Sequence, residues 1–291
     1  MLTSVKTLLS SIVDYAGLFP PAKLDMGEAM ANYASNQITP YNWMLGRFVL
    51  PASRSQEFAE LLPTFSLEKW LLSVTLSGNF ESELETIQSI SRVGKIAIAS
   101  LEFPPLPATD MESVFPHLSA GVDTFFEIPF NADIESYLSA LQYTGALAKI
   151  RTGGMTADAF PSASQLGHYI VSFAEAQVPF KATAGLHHPL LGQHPLTYEP
   201  NSPYTAMHGF LNVVILAALA YWQKVTREEA IAILNEYSLD NFKITENSIE
   251  WRDRVLSLSE IEVARQRFFR SFGSCSFQEP IDDLKHSKLL N

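Results

Sequence analysis

The chain has 291 residues, of which 47% are hydrophobic and 18% are charged. This composition supplies enough apolar material for a large core and excludes a disordered chain. Lys and Arg total 20 against 31 Asp and Glu, a net charge of −11, so a nucleic acid or an acidic membrane surface would be repelled on average. The expected partner is a small molecule, and assembly into a homo-oligomer is left open.

The apolar runs and the single cysteine indicate the expected cellular location of the protein. The longest apolar run, residues 213–222, has about half of the roughly 20 residues that a bilayer span needs, so it is predicted to be a buried helix. The first residues do not have the pattern of a signal peptide. Cys275 has no second cysteine to form a disulfide or a cysteine-rich zinc site, and a cytoplasmic protein is expected.

Short apolar runs alternate with amphipathic stretches through the first two thirds of the chain. Their spacing of about 25 to 30 residues is typical of βα units and predicts an α/β fold, a TIM-like (β/α)8 barrel. Strands are predicted at residues 11–17, 43–50, 70–76, 95–102, 124–128, 146–151 and 180–184. Helices are predicted at residues 26–35, 53–62, 81–91, 111–118, 134–142 and 164–176.

The last third of the chain is harder to assign. Helices are predicted at residues 206–222, 226–237 and 261–272, and the eighth strand at either 242–245 or 248–256. No linker or low-complexity segment divides the chain, so one domain is predicted over residues 1–291, with a helical extension from about residue 206.

Charged residues in the predicted strands share one face. Residues two apart in a strand point the same way, and the other face of these strands is apolar throughout, as the helix-covered outside of a barrel requires. The polar set is therefore expected inside the barrel near its C-terminal mouth. It contains Arg47, Ser73, Thr75, Ser100, Glu102, Glu127, Lys149, Arg151, Lys181 and Thr183.

This charged interior has two interpretations. One is a network of ion pairs that fills the barrel, and the other is a ligand site. Its four cations outnumber its two carboxylates, and an anionic ligand, carboxylate or phosphate, would balance the excess. Arg47 and Arg151 are the expected anion contacts.

Two lysines end neighbouring strands. Lys149 and Lys181 are expected side by side, where one ammonium lowers the pKa of the other and leaves an amine able to attack a carbonyl. Glu127 or Glu102 could move protons. Thr152, Gly153 and Gly154 follow the sixth strand, where glycine lets backbone N–H groups approach an oxyanion or phosphate.

The residues 125–186 resemble deoxyribose-phosphate aldolase and related class I aldolases. The likeness is carried by Glu127, by the segment from Lys149 to Gly153 and by Lys181-Ala182 followed by Gly185. It implies that Lys149 is the Schiff-base lysine and that Lys181 tunes its pKa. The segments DYAGLFPPAKL, KATAGLHHP, MHGFLNV and FGSCSFQEP also resemble a bacterial family, a likeness that implies no activity.

The histidines favour a different interpretation of the site. His187, His188 and His208 could bind a metal with Asp14 or Glu127, although no H-x-H or H-E-x-x-H spacing occurs. His187 alone, directly after the seventh strand, is the best candidate for a general acid or base. Asp14 could join the site or cap a turn, and Cys275 is expected to be a small buried residue rather than a nucleophile.

The function that these residues favour is a lyase, aldolase-like in its use of a lysine Schiff base, acting without a cofactor on a small anionic carbonyl or phosphorylated substrate. The first alternative is a metal-dependent hydrolase that uses the mouth histidines. The second is a barrel that binds a carboxylate or phosphate without catalysis.

Overall fold

The computed structural model describes residues 1–118 and 121–290, and within them eight parallel strands close into a barrel. Residues 119, 120 and 291 of the predicted domain lie outside this description. The predicted α/β class and TIM-like barrel are confirmed. The barrel strands, in their order around it, are β1 (Val13–Tyr15), β2 (Leu45–Pro51), β3 (Trp70–Thr75), β4 (Ile96–Phe103), β5 (Asp123–Glu127), β6 (Leu147–Arg151), β7 (Phe180–Thr183) and β13 (Phe269–Ser274).

The position of the eighth barrel strand corrects the sequence-based expectation. Both candidate segments belong instead to a separate antiparallel sheet, made of β10 (Phe242–Ile244), β11 (Ser248–Trp251) and β12 (Arg254–Ser257). The strand that closes the barrel is β13, whose first residues were predicted to continue a helix. Its inner face carries Arg270 and Ser271, so it lacks the apolar run by which the other strands are recognised.

A second small sheet precedes the long apolar helix. It pairs β8 (Gly192–Pro195) with β9 (Tyr204–Met207), so the helix predicted from residue 206 starts at Phe210. The helices are α1 (Thr3–Leu9), α2 (Met26–Asn36), α3 (Ser55–Leu61), α4 (Phe80–Ser91), α5 (Ala108–Val114), α6 (Ile134–Leu141), α7 (Ala163–Glu175), α8 (Phe210–Tyr221), α9 (Arg227–Leu234), α10 (Leu258–Arg267) and α11 (Gln278–His286). None of the helices in the described ranges is long and apolar enough to cross a membrane.

Local sequence explains where several helices begin. Capping boxes start α7 at Ser162, α9 at Thr226 and α10 at Ser257, each with a Gln or Glu three residues later. In α8 the residues from Phe210 to Ala220 are all buried, because the helix is packed between the barrel and its neighbouring helices α7, α9 and α10.

The alternation within the strands separates the two sides of the barrel wall. Apolar residues such as Phe48, Trp70 and Phe126 are buried under the helices. The polar residues point inward, since ion pairs join strands that are not neighbours. Lys181 of β7 reaches Glu102 of β4 across the interior.

We expect the closing strand, β13, to contribute more to the free energy of unfolding than the antiparallel sheet does. The ring of Phe272 in β13 is fully buried and stacks on Phe210, with 5.2 Å between the ring centroids. Phe272→Ala should lower the free energy of unfolding by about 3–5 kcal/mol through the cavity it leaves. Val255→Ala, at a residue of β12 that is 44% exposed, should change it by less than about 0.5 kcal/mol. Urea denaturation of both variants measures this, and equal losses would contradict it.

Candidate active site

A buried ammonium lies at the centre of the barrel. The Nζ atom of Lys181 lies 2.5 Å from Asp14 Oδ2 and 2.6 Å from Glu102 Oε1, and its side chain is 1% exposed. Ser271 donates a hydrogen bond to Asp14, and Ser73 donates one to Glu102. The two carboxylates and the lysine therefore satisfy one another and the hydroxyls around them.

This arrangement fixes the charges of the three groups. Burial alone would raise the pKa of Asp14 and of Glu102, but Lys181 beside both, with Arg47 near Asp14 and Lys149 near Glu102, holds each pKa below its ordinary value. Burial alone would lower the pKa of Lys181, but its two carboxylates raise it. Lys181 is thus a permanently charged group.

Lys149 lies one strand away, on β6. It is the register partner of Lys181 in β7 and of Glu127 in β5. Its Nζ atom lies 3.1 Å from Glu127 Oε2 and 3.4 Å from Glu102 Oε2. One carboxylate, Glu102, therefore contacts both lysines, each through a different oxygen, which places the two ammonium groups on the same inner surface.

Glu127 joins Lys149 to the rim of the barrel. Its Oε1 accepts a hydrogen bond of 3.1 Å from Arg151 Nε. Burial would raise the pKa of Glu127, but Lys149 and Arg151 together lower it, so the group is an ionised carboxylate. The side chain of Arg151 is 52% exposed, which leaves its outer nitrogens toward solvent.

Arg47 lies at the opposite end of the barrel. Its guanidinium is 2.6 Å from Asp123 Oδ2, and Arg270 contacts the same carboxylate at 3.0 Å. Because Asp123 is the first residue of β5 and Arg47 is the third of β2, this group lies near the N-terminal ends of the strands. Arg47 does not line the cavity described below, and it is too far down the barrel for the anion contact that the sequence suggested.

The loop after β6 has mainly a structural function. The Thr152 N–H donates to the carbonyl of Thr183 at 2.9 Å, and its hydroxyl donates to the carbonyl of Ala184. A Cβ atom on Gly153 would lie 2.5 Å from the ring of Phe160 and 2.7 Å from Gly185 Cα, so only glycine fits. Thr152 and Gly153 hold two loops together, whereas Gly154 and Thr183 line the cavity.

A cavity of about 640 Å³ opens above these charges at the C-terminal ends of the strands. Its floor contains Lys149, Glu102, Glu127 and Lys181, with Arg151 at one side. Asp14 lies below the floor as a partner of Lys181. The cavity therefore presents amine, carboxylate and guanidinium groups to one enclosed volume, which is the set of groups that carbonyl chemistry uses.

Three histidines, His187, His188 and His194, lie at or near the cavity. His187 Nδ1 is 3.2 Å from Glu279 Oε2, while His188 Nδ1 is 2.7 Å from Asp283 Oδ2. The ring of His194 stacks on His188 with 3.4 Å between centroids, and burial together with His188 lowers the pKa of His194 to about 4. His187 and His188 line the cavity and His194 lies behind them.

The geometry does not assemble the histidines into a metal site. His208 Nε2 lies 2.8 Å from the carbonyl of Pro161, and His208 is not among the cavity residues. Within residues 1–118 and 121–290, no group of three or more His, Cys, Asp or Glu side chains is placed to hold a metal ion. The alternative that used His187, His188 and His208 together has no support from this arrangement.

Some cavity residues that carry polar side-chain atoms were not predicted as site residues. Glu279 in the first turn of α11, Cys275 after β13 and Tyr198 after β8 all line it. The Tyr198 hydroxyl is 3.5 Å from Cys275 Sγ and 3.3 Å from Glu279 Oε2. Two of the three follow β13, so recognition of that strand as the eighth would have placed them at the mouth of the barrel.

No family model matches the chain, and searches of curated proteins and of solved structures returned no match. The fold and the cavity define the protein as a TIM-like barrel with an ionic site at its C-terminal mouth.

We expect Glu102 to contribute strongly to stability. Glu102→Gln removes one of the two carboxylate partners of Lys181 and one of the two partners of Lys149, and it should lower the free energy of unfolding by about 3–5 kcal/mol at pH 7. Glu250→Gln, which removes the partner of the exposed Lys243, should cost about 0–1 kcal/mol. Urea denaturation of the two variants measures the difference.

The same variant should alter the pH dependence of folding. A glutamate titrates near pH 4.3 in an unfolded chain and at lower pH in the fold, so the contribution of Glu102 is complete above about pH 4.3. It is lost as the pH falls toward the lower folded-state pKa. Glu102→Gln should therefore lose less stability than the unmodified protein on acidification below pH 4.3, and parallel curves for the two proteins would contradict this assignment.

Cys275 should react slowly with alkylating reagents. Burial raises the pKa of its thiol, and the residue is 5% exposed, so little thiolate is present and access is restricted. At pH 7.5 iodoacetamide should modify it at least tenfold more slowly in the folded protein than in guanidinium chloride. Mass spectrometry of timed samples measures both rates, and equal rates would show that the thiol is open to solvent.

Proposed function

We propose that this protein is an enzyme that joins Lys149 to the carbonyl carbon of a small-molecule substrate as an imine and makes or breaks a neighbouring carbon–carbon bond. The observation that carries this proposal is the position of Lys149. Its amine lines the cavity and makes carboxylate contacts of 3.1 and 3.4 Å, whereas the second lysine of the cavity floor, Lys181, is held more closely by two carboxylates at 2.5 and 2.6 Å. An aldolase-like lyase is the reaction class that uses such an amine without a cofactor.

Geometry favours Lys149 over Lys181 as the nucleophile. Lys181 is held by two carboxylates at 2.5 and 2.6 Å, and its pKa is raised, so it keeps its proton. Lys149 makes longer contacts, of 3.1 and 3.4 Å, and its side chain is 6% exposed against 1% for Lys181.

Glu127 is the proton carrier in this scheme. Its carboxylate accepts a proton from the Lys149 ammonium at 3.1 Å, and the free amine then adds to the substrate carbonyl. The proton returns to the hydroxyl of the carbinolamine, which leaves as water and forms the iminium ion. The iminium accepts the electron pair of the bond between the α and β carbons of the substrate as that bond breaks, and it becomes an enamine. A proton from water then adds to the α carbon to give the product imine, and hydrolysis of this imine regenerates Lys149.

Arg151 and His187 are positioned for the parts of the substrate away from the amine. The exposed side of the Arg151 guanidinium would hold a carboxylate or phosphate of a small anionic substrate. His187, oriented by Glu279, would take the proton of a substrate hydroxyl as that carbon–carbon bond breaks.

Borohydride reduction tests the imine directly. The folded protein is incubated with a panel of aldehydes, ketones and keto acids, reduced, and analysed by mass spectrometry of the intact chain and its peptides. We expect a covalent adduct on Lys149 that disappears in Lys149→Met.

The matched control is Lys243→Met, at a lysine with a 71% exposed side chain outside the cavity. It should keep the full adduct. A folded protein that gives no adduct across the panel would overturn the proposal, and ligand binding without an adduct would identify a binding barrel that does not catalyse.

A further inference from the structure

Above the charged floor, the walls of the cavity are apolar. They are formed by loops that follow β1, β4 and β6 and by the connection between β8 and β9. The residues with the largest apolar side chains in these walls are Phe19, Met155, Phe160, Leu196 and Met207. A ligand that fills the cavity therefore contacts charged groups at one end and hydrocarbon along most of its length.

Prolines in the walls reduce the number of backbone N–H groups available to a phosphate. The lining residues include Pro20, Pro21, Pro104, Pro105 and Pro195, and proline has no backbone N–H to donate. In many barrels the loops after the last two strands hold phosphate with such N–H groups and a helix N-terminus. Here the first turn of α11 contributes Glu279 to the cavity instead, and His187 helps to lower the pKa of that carboxyl against the effect of burial.

The charges within the cavity are already balanced. Lys149, Lys181 and Arg151 line it together with Glu102, Glu127 and Glu279. Of the three cations only Arg151 is half-exposed, since Lys181 and Lys149 are enclosed by carboxylates. One carboxylate on a ligand can pair with Arg151, but a phosphate dianion would face three fixed negative charges.

The size of the cavity excludes a close fit to a three-carbon or four-carbon compound. Its volume of about 640 Å³ lies within the range of roughly 300–1,000 Å³ that encloses ligands of drug size. From the walls, the charge balance and the volume we infer that the substrate of the proposed reaction is a carbonyl compound with a large apolar or aromatic body, no phosphate and at most one carboxylate. This inference deepens the proposed function and rests on it.

The test compares trapping rates at Lys149 for three carbonyl compounds. Borohydride reduction with 2-oxo-4-phenylbutanoate, pyruvate and glyceraldehyde 3-phosphate gives a second-order rate for each. We expect the phenyl compound to react at least tenfold faster than either of the others at the same pH, because its ring leaves water for the apolar wall. Equal rates, or a preference for the phosphate, would overturn the substrate class and leave the imine proposal intact.

A variant of the wall locates the preference. Met155→Asp places a charge on a wall residue that is itself 47% exposed, so the change should not unfold the barrel. It should reduce the ratio of phenyl to pyruvate trapping at least fivefold. Ile38→Asp, at a residue 86% exposed and outside the cavity, should leave the ratio unchanged. A ratio unaffected by Met155→Asp would show that the preference does not come from this wall.

A ligand that cannot form an imine distinguishes the proposed ligand class from the proposed imine chemistry. Titration calorimetry with 4-phenylbutanoate, which cannot form an imine, should show binding that Met155→Asp weakens. If this acid binds while no carbonyl compound is trapped, the ligand class holds and the imine chemistry fails. If it does not bind and trapping shows no preference, the ligand class fails.

Discussion

A buried cluster of three charged side chains, Lys181, Asp14 and Glu102, constrains the rest of this protein. Lys181 is removed from water and held by Asp14 and Glu102, so strands β7, β1 and β4 are joined across the interior of the barrel. Breaking such a group leaves a charge without a partner in a place of low dielectric, which is strongly unfavourable. The serines that complete it come from β3 and β13, and Ser271 in this way links the closing strand to the same centre.

The charged groups inside the barrel lie in layers along its axis, from the N-terminal end to the open C-terminal mouth. At the N-terminal end Arg47 and Arg270 share Asp123, and above them the ring of Phe125 lies 5.9 Å from the Arg47 guanidinium and 5.3 Å from Lys181 Nζ. Arg151, the last residue of β6, lies at the C-terminal end of the barrel and reaches solvent. A buried network of ion pairs and a candidate active site were competing interpretations of these charges, and the same side chains fit both, since Glu102, Lys149 and Lys181 form ion pairs and also line the cavity.

The sequence predicts most of the barrel because its outer wall is apolar on every strand from β2 to β7. That alternation placed Glu102, Glu127, Lys149 and Lys181 inside together. It failed at β13, which follows helix α10 with only Phe268 between them and which carries Arg270 inward, so that neither a turn nor an apolar run marks its start. Because the eighth strand was misplaced, Glu279 was not predicted as a site residue, since the position of Glu279 depends on which strand closes the barrel.

The count of charges from sequence failed for a related reason. It included the cations of strand interiors and omitted Asp14 and Asp123, which lie in the short β1 and at the start of β5. With both included, and with Arg270 of β13 and Glu279 of the cavity counted as well, the five cations are matched by five carboxylates and the apparent positive excess disappears. The site is neutral before a ligand binds, and carboxylates lie on both sides of the Lys149 amine. Such a site stabilises the transfer of charge between its own groups better than it stabilises the added charge of a ligand. Proton transfer between Glu127 and Lys149 is a movement of that kind, and it is the step on which the proposed chemistry depends.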